Sequence, residues 1–75
     1  MFIFLLQRYK GADYCEYNAH VIQAETESRA RQMAEDIGEP DNCWLSDEKV
    51  MCQCYGKSVI AFPKEEIILS DYKEG

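Results

Sequence analysis

The chain is 75 residues long, 47% apolar and 12% aromatic, with a net charge of −6. That length makes one domain, and the apolar share supports a folded core rather than a disordered chain. The charge excludes direct attraction to nucleic acid or anionic lipid, because phosphate recognition draws on Lys and Arg.

The first element is "FIFLLQRY" (2–9), which is apolar on both faces, as a strand covered on both sides is. The apolar run Met1 to Leu6 is too short to span a bilayer, and it lacks the basic flank and cleavage site of a signal peptide. The expectation is a soluble, cytoplasmic protein. "KGAD" (10–13) reads as a turn, and "YCEYNAHVIQA" (14–24), rich in aromatic and β-branched residues, as the return strand of a hairpin. Strict alternation along it puts Tyr17, Ala19 and Val21 on one face and His20, Ile22 and Ala24 on the other.

The hydrophobic period then changes. Ala30, Met33, Ala34 and Ile37 fall at i, i+3, i+4 and i+7, one stripe of a helix. Thr26 suits the N-cap, and Glu27 sits in the first turn, where the helix dipole favours an anion. Glu27–Arg31 and Arg31–Glu35 are spaced as i,i+4 ion pairs, each a contribution of a few tenths of a kcal/mol at about the usual magnitude. Gly38 provides a stop and Pro40 blocks resumption of the helix.

After the helix, "KVMCQCY" (49–55), "SVIAF" (58–62) and "EIILS" (66–70) each suit a strand, with Gly56–Lys57 as a short hairpin turn and Pro63 as a break. The predicted order is β-β-α-β-β-β: an α+β, two-layer domain in which one helix packs on an antiparallel sheet.

Segment 35–48, "EDIGEPDNCWLSDE", carries the whole charge excess. Residues 1–34 hold four acids and four bases, residues 49–75 again four and four, and the six carboxylates between them have no cation among them. They are Glu35, Asp36, Glu39, Asp41, Asp47 and Glu48, and such a cluster steers a domain towards a basic surface. Trp44, within the segment, has two readings: an aromatic anchor for a partner, or a plug that fixes the segment to the core. The candidate partner-binding residues are therefore Trp44 and the six carboxylates.

No catalytic constellation accompanies them. His20 is the only histidine, and the nearest nucleophile, Cys15, is five residues away and on the opposite strand face. There is no Gly-rich phosphate loop, zincin helix or nucleophile elbow. Cys15, Cys43, Cys52 and Cys54 lack the spacing of a zinc knuckle, and in a reducing compartment they read as packed thiols. The expectation is a non-enzymatic binding protein without metal or cofactor.

"YNAHVIQAETESRAR" (17–31), "CWLSDEKV" (43–50) and "EIILSDYKEG" (66–75) also carry a likeness. The chain resembles small phage and prophage proteins with a Tyr-Asp-x-x-Val-Val-x-Ala-Glu-x-Glu-x-x-Ala-Arg segment, a central Trp and an apolar tail. Tyr17, Val21, Ile22, Ala24, Glu25, Glu27, Ala30, Arg31, Trp44 and Ile67–Leu69 match, whereas Asn18 replaces the usual Asp and the cysteines are extra. In size, acidity and layout the chain is also similar to small anti-CRISPR proteins. The resemblance implies an inhibitor of a host defence complex, in which the acidic segment occupies a basic nucleic-acid channel. The alternative from another class is a structural or housekeeping phage-type domain that self-associates along a strand edge; a small zinc or redox protein stands third.

Overall fold

A computed structural model describes residues 1–10, 16–38, 43–58 and 64–73. Within them the chain forms β1 (Phe2–Arg8), β2 (Glu16–Ala24), α1 (Glu27–Glu35), β3 (Val50–Lys57) and β4 (Glu66–Lys73). The sheet is antiparallel throughout, in the order β3-β1-β2-β4, with α1 laid on one face. The predicted α+β class is the observed one. β1 and β2 occupy the centre, and β1 is the most apolar of the four strands. Backbone bonds from Tyr9 N to Lys49 O (3.0 Å) and from Ser58 N to Met1 O (2.8 Å) extend the β1–β3 ladder at both ends.

The second half departs from the sequence reading. Gly56 and Lys57 are not a hairpin turn: they pair with Ile3 and Phe2 as the last residues of β3. The ladder continues because β1 offers partners down to Phe2, and a bulge opposite Ile3 and Phe4 takes up Tyr55 as the extra residue. Of the strand expected at 58–62, Ser58 lies outside any element and 59–62 fall outside the described residues. Among the described residues the sheet therefore has four strands. β4 runs on to Lys73 because β2 supplies partners as far as Tyr17 and Glu16.

The helix ends follow the local signals. Thr26 is the N-cap, in extended conformation, and its hydroxyl accepts a hydrogen bond from Arg29 N at 3.1 Å. The last turn tightens, with Ile37 N bonding Ala34 O, and Gly38 then takes a left-handed φ of 84° that most residues avoid. Helical geometry stops at Glu35, two residues short of Ile37, so the fourth member of the predicted stripe is 39% exposed rather than core. Ala30 and Ala34 are fully buried and Met33 packs partly against the core. With alanines at the contact, the helix backbone lies close on β2 and β1.

Nine helical residues span about 13 Å, whereas strands of seven to nine residues span roughly 23–30 Å, so α1 covers only part of the sheet. The chain covers the remainder with the 43–49 segment, which turns over the sheet and places Trp44 and Cys43 in the core. Trp44 is 1% exposed and stands over β1 and β2, in contact with Arg8 and His20. The core thus joins Phe4, Leu6, Ile22, Ala24 and Val50 of the sheet to Ala30 and Ala34 of the helix and to Trp44.

Trp44 is among the largest side chains of this core, so its loss leaves a cavity that a nine-residue helix cannot move to fill. Trp44→Ala is expected to cost about 3–5 kcal/mol, which for a domain of this size removes most of the stability. Urea unfolding measured by far-ultraviolet circular dichroism checks this. A loss below about 1 kcal/mol would be that of a surface residue.

Candidate functional site

The site is best built from Arg31. It projects from the buried side of α1 into the 43–50 segment and is 7% exposed. Its Nη1 donates to Trp44 O (3.1 Å) and Ser46 O (3.2 Å), its Nη2 to Val50 O (3.1 Å), and its Nε to Glu27 Oε2 (2.9 Å). One guanidinium therefore bonds two carbonyls of the irregular turns and one at the first residue of β3, matching fixed donors to fixed acceptors. The Glu27 pair was expected from spacing. The Arg31–Glu35 pair does not form among the described residues, and Glu35 Oε1 is buried there without a hydrogen-bond partner. No local sequence signal marks the carbonyl contacts, because their partners lie 13 to 19 residues away.

Arg31 positions the acidic segment. A bond from Ser46 N to Cys43 O (3.0 Å) and one from Val50 N to Ser46 O (3.0 Å) close successive turns across 43–50. Asp47 and Glu48 lie exposed on the second turn, and Glu35 (half-buried) and Asp36 (exposed) lie at the end of α1. Asp36 caps the helix and accepts a hydrogen bond from Gln32 Nε2 at 2.8 Å. Four of the six predicted carboxylates thus belong to two segments tied together by one arginine. Glu39 and Asp41 lie outside the described residues. Trp44 takes the second of its two readings: it is the plug, and it offers no indole surface to a partner.

Beneath Trp44 runs a row of flat side chains. The Arg8 guanidinium lies 4.9 Å from the Trp44 ring centroid, Trp44 lies 4.6 Å from His20, His20 4.8 Å from Tyr17, and Tyr17 4.8 Å from Tyr72, edge to face. Arg8 Nε donates to Tyr17 O at 2.6 Å. Tyr17 was expected to share a face with Ala19 and Val21. A bulge between Tyr17 and Ala19 turns it to the His20 side, where it joins the core.

His20 is fully buried, with Nδ1 2.6 Å from Ser70 Oγ, while Nε2 has no hydrogen-bond partner among the described residues. The neutral tautomer that donates from Nδ1 leaves only a lone pair unsatisfied, and is favoured over one that buries an unpaired N–H. Protonation would bury a cation with one unbonded N–H and set it near Arg8. Burial first, and the Arg8 charge second, push its pKa down to about 4. This histidine is a neutral core residue at pH 7, without the solvent access that a general base for an external substrate needs.

The cysteines have separate environments. Cys43 is buried, Cys52 half-buried and Cys54 exposed, none of the three in a disulfide; Cys15 lies outside the described residues. Burial, with Glu27 nearby, pushes the Cys52 thiol up to about 11, which keeps it protonated and a poor nucleophile. Among the described residues no group of three or more His, Cys, Asp or Glu is placed to hold a metal ion. No described helix is long and apolar enough to cross a membrane. No protein-family model, curated protein or solved structure matches the chain.

The depressed pKa of His20 has a signed consequence. Between pH 6.5 and about 4 the unfolded histidine binds a proton that the folded one refuses, so the unfolded state gains as pH falls. The contribution is complete above pH 6.5, and roughly 3 kcal/mol of it is lost by pH 4. Urea midpoints from pH 7.5 to 4.5 should fall more steeply for the wild-type chain than for His20→Gln, which keeps a partner for Ser70 but cannot titrate. Parallel pH profiles for the two proteins would count against a neutral, buried His20.

Proposed function

We propose that the chain is a small non-enzymatic binding protein that presents a pre-formed acidic surface to a basic partner. The observation that carries this reading is the anchoring of segment 43–50 by Arg31 and Trp44. Asp47 and Glu48 stand exposed on turns whose carbonyls are held by a buried guanidinium, beside Asp36 at the helix end. Neither Asp47 nor Glu48 makes an ion pair among the described residues. A carboxylate surface held in place before binding loses little conformational freedom on association. Its negative potential raises the rate of encounter with Lys- and Arg-rich surfaces.

Carboxylates so placed compete for the cations that hold a nucleic acid backbone, and can displace it without chemistry. The narrower reading, an inhibitor of a host defence complex acting on a basic nucleic-acid channel, draws on the phage-type and anti-CRISPR resemblance of the sequence. Because Trp44 is internal, the apolar component of such binding falls to other side chains, and Ile37 and Leu45 stand exposed in the same segment.

The test is a pull-down from lysate of the host cell, followed by kinetics on the captured partner. Changing Glu39, Asp41, Asp47 and Glu48 to Gln or Asn should leave stability within about 0.5 kcal/mol, the exposed Asp47 and Glu48 contributing little. It should also slow association at least about tenfold at low salt and flatten the salt dependence. Full binding by the quadruple variant at physiological salt would make the acidic segment merely solvated.

A further inference from the structure

The two edges of the sheet differ in how they are guarded. β4, at one side, carries charge along its length in Glu66, Asp71 and Lys73. β3, at the other, has neither a charged residue nor a proline from Val50 to Gly56. It is exposed from Gln53 onward, with Tyr55 63% exposed. Charge and proline are the ordinary protections of an edge, whose outward N–H and C=O groups otherwise form a template for another strand. On β3 the protection is confined to the far end, where the bulge at Tyr55 interrupts the ladder and Lys57 follows. The chain leaves β3 at that end too: Ser58 N bonds Met1 O, and Lys64 O accepts a hydrogen bond from Gln23 of β2. Among the described residues no strand occupies the outer side of 50–54.

We propose that the outer edge of β3 pairs with the same edge of a second copy, antiparallel over 50–54 about a two-fold axis, so that two sheets become one. Charge selects both the occupant and its direction. The entry to β3 is acidic on balance, with Asp47 and Glu48 against Lys49, and its exit is basic, with Lys57. All four side chains are exposed, and none makes an ion pair among the described residues. Antiparallel pairing of identical strands sets the exit of each copy beside the entry of the other, so Lys57 meets the Asp47–Glu48 end twice. Parallel pairing would set acid beside acid. An axis perpendicular to the sheet keeps every side chain on its own face. Cys52 and Cys54 stay with Leu6 and Phe4 on the α1 side, and Met51 and Gln53 with Gln7 and Leu5 on the other.

The net charge of −6 on each copy does not oppose this arrangement. The two Glu48 side chains come to lie at opposite ends of the paired stretch, about 20–30 Å apart, more than two screening lengths at physiological salt. The stretch itself presents only the uncharged Met51, Cys52, Gln53 and Cys54 between Val50 and the bulge. Pairing over so short a length buries less than the roughly 1,200 Å² of a specific stable interface, so the association is weak and reversible.

Sedimentation equilibrium on the full chain from about 5 to 500 μM should show the mass rising from one chain towards two. Hydrogen exchange of the unsubstituted protein over the same range, read by mass spectrometry, should slow with concentration in Val50–Lys57 and stay constant in Glu66–Lys73. Gln53→Lys, at an exposed position, makes each copy less negative, so a general charge effect would strengthen association; between paired edges the two lysines should instead weaken it about fivefold. Lys57→Glu should weaken it similarly, and adding Glu48→Lys should restore it, because the two positions stand at opposite ends of one β3 and meet only between copies. A one-chain mass throughout, slowed exchange in Glu66–Lys73 instead, undiminished association of Gln53→Lys, or a double variant as weak as Lys57→Glu would overturn the proposal. These readouts report self-association alone and do not depend on whether the acidic segment binds a basic partner.

Discussion

The guanidinium of Arg31 is the contact on which the rest of the molecule depends. A nine-residue helix cannot cover the sheet it packs against, and the chain covers the remainder with a segment that has little regular backbone bonding of its own. Arg31 bonds the buried carbonyls of Trp44 and Val50 from the helix side, and the part-buried carbonyl of Ser46, which lets Trp44 stay inside rather than on the surface. Burying the cation is tolerated because Glu27 and the three carbonyls replace its hydration. Helix, turns and sheet are thereby one packing unit, and the row from Arg8 through Trp44 and His20 to Tyr17 forms under the indole.

This arrangement separates two surfaces. The layer carrying α1 and the 43–49 turns presents the described carboxylates of the acidic segment, while the other side of the sheet presents Leu5, Val21 and Leu69. Electrostatic attraction acts at long range and sets encounter rates, whereas apolar burial acts on contact and sets lifetimes. With Trp44 internal, the exposed apolar side chains of the acidic side are Ile37 and Leu45.

Much of the fold was legible because it rests on local chemistry. Thr26 and Gly38 mark the helix ends by hydroxyl capping and by a left-handed backbone, both decided within a few residues. The central strands declared themselves by β-branched and aromatic runs. What the sequence did not disclose depends on partners distant along the chain. Gly56 and Lys57 look like a turn until β1 is seen to supply pairing partners for them, and Tyr17 changes face through a bulge that a period of two cannot anticipate. Arg31 reads as half of an exposed i,i+4 pair, although its larger role is to hold carbonyls 13 to 19 residues away. For the candidate site, composition located the acidic segment, but only three dimensions decide between the two readings of Trp44.

The chain has a single tryptophan, which makes the central claim directly measurable. Arg31→Met keeps most of the length and apolar stem of the side chain while removing every donor to Trp44, Ser46 and Val50. Trp44 O and Val50 O then lose the bonds Arg31 gives them, while Ser46 O keeps Val50 N; a buried hydrogen bond lost to a carbonyl costs about 1–3 kcal/mol, so the segment is expected to lift from the sheet before the domain unfolds. Tryptophan emission should shift to the red and become accessible to acrylamide in 10–15 °C water, under conditions where far-ultraviolet circular dichroism still reports a folded sheet or only a partial loss. Emission and quenching identical to the wild-type protein, with an unchanged unfolding midpoint, would contradict the account and leave Trp44 held by the sheet alone.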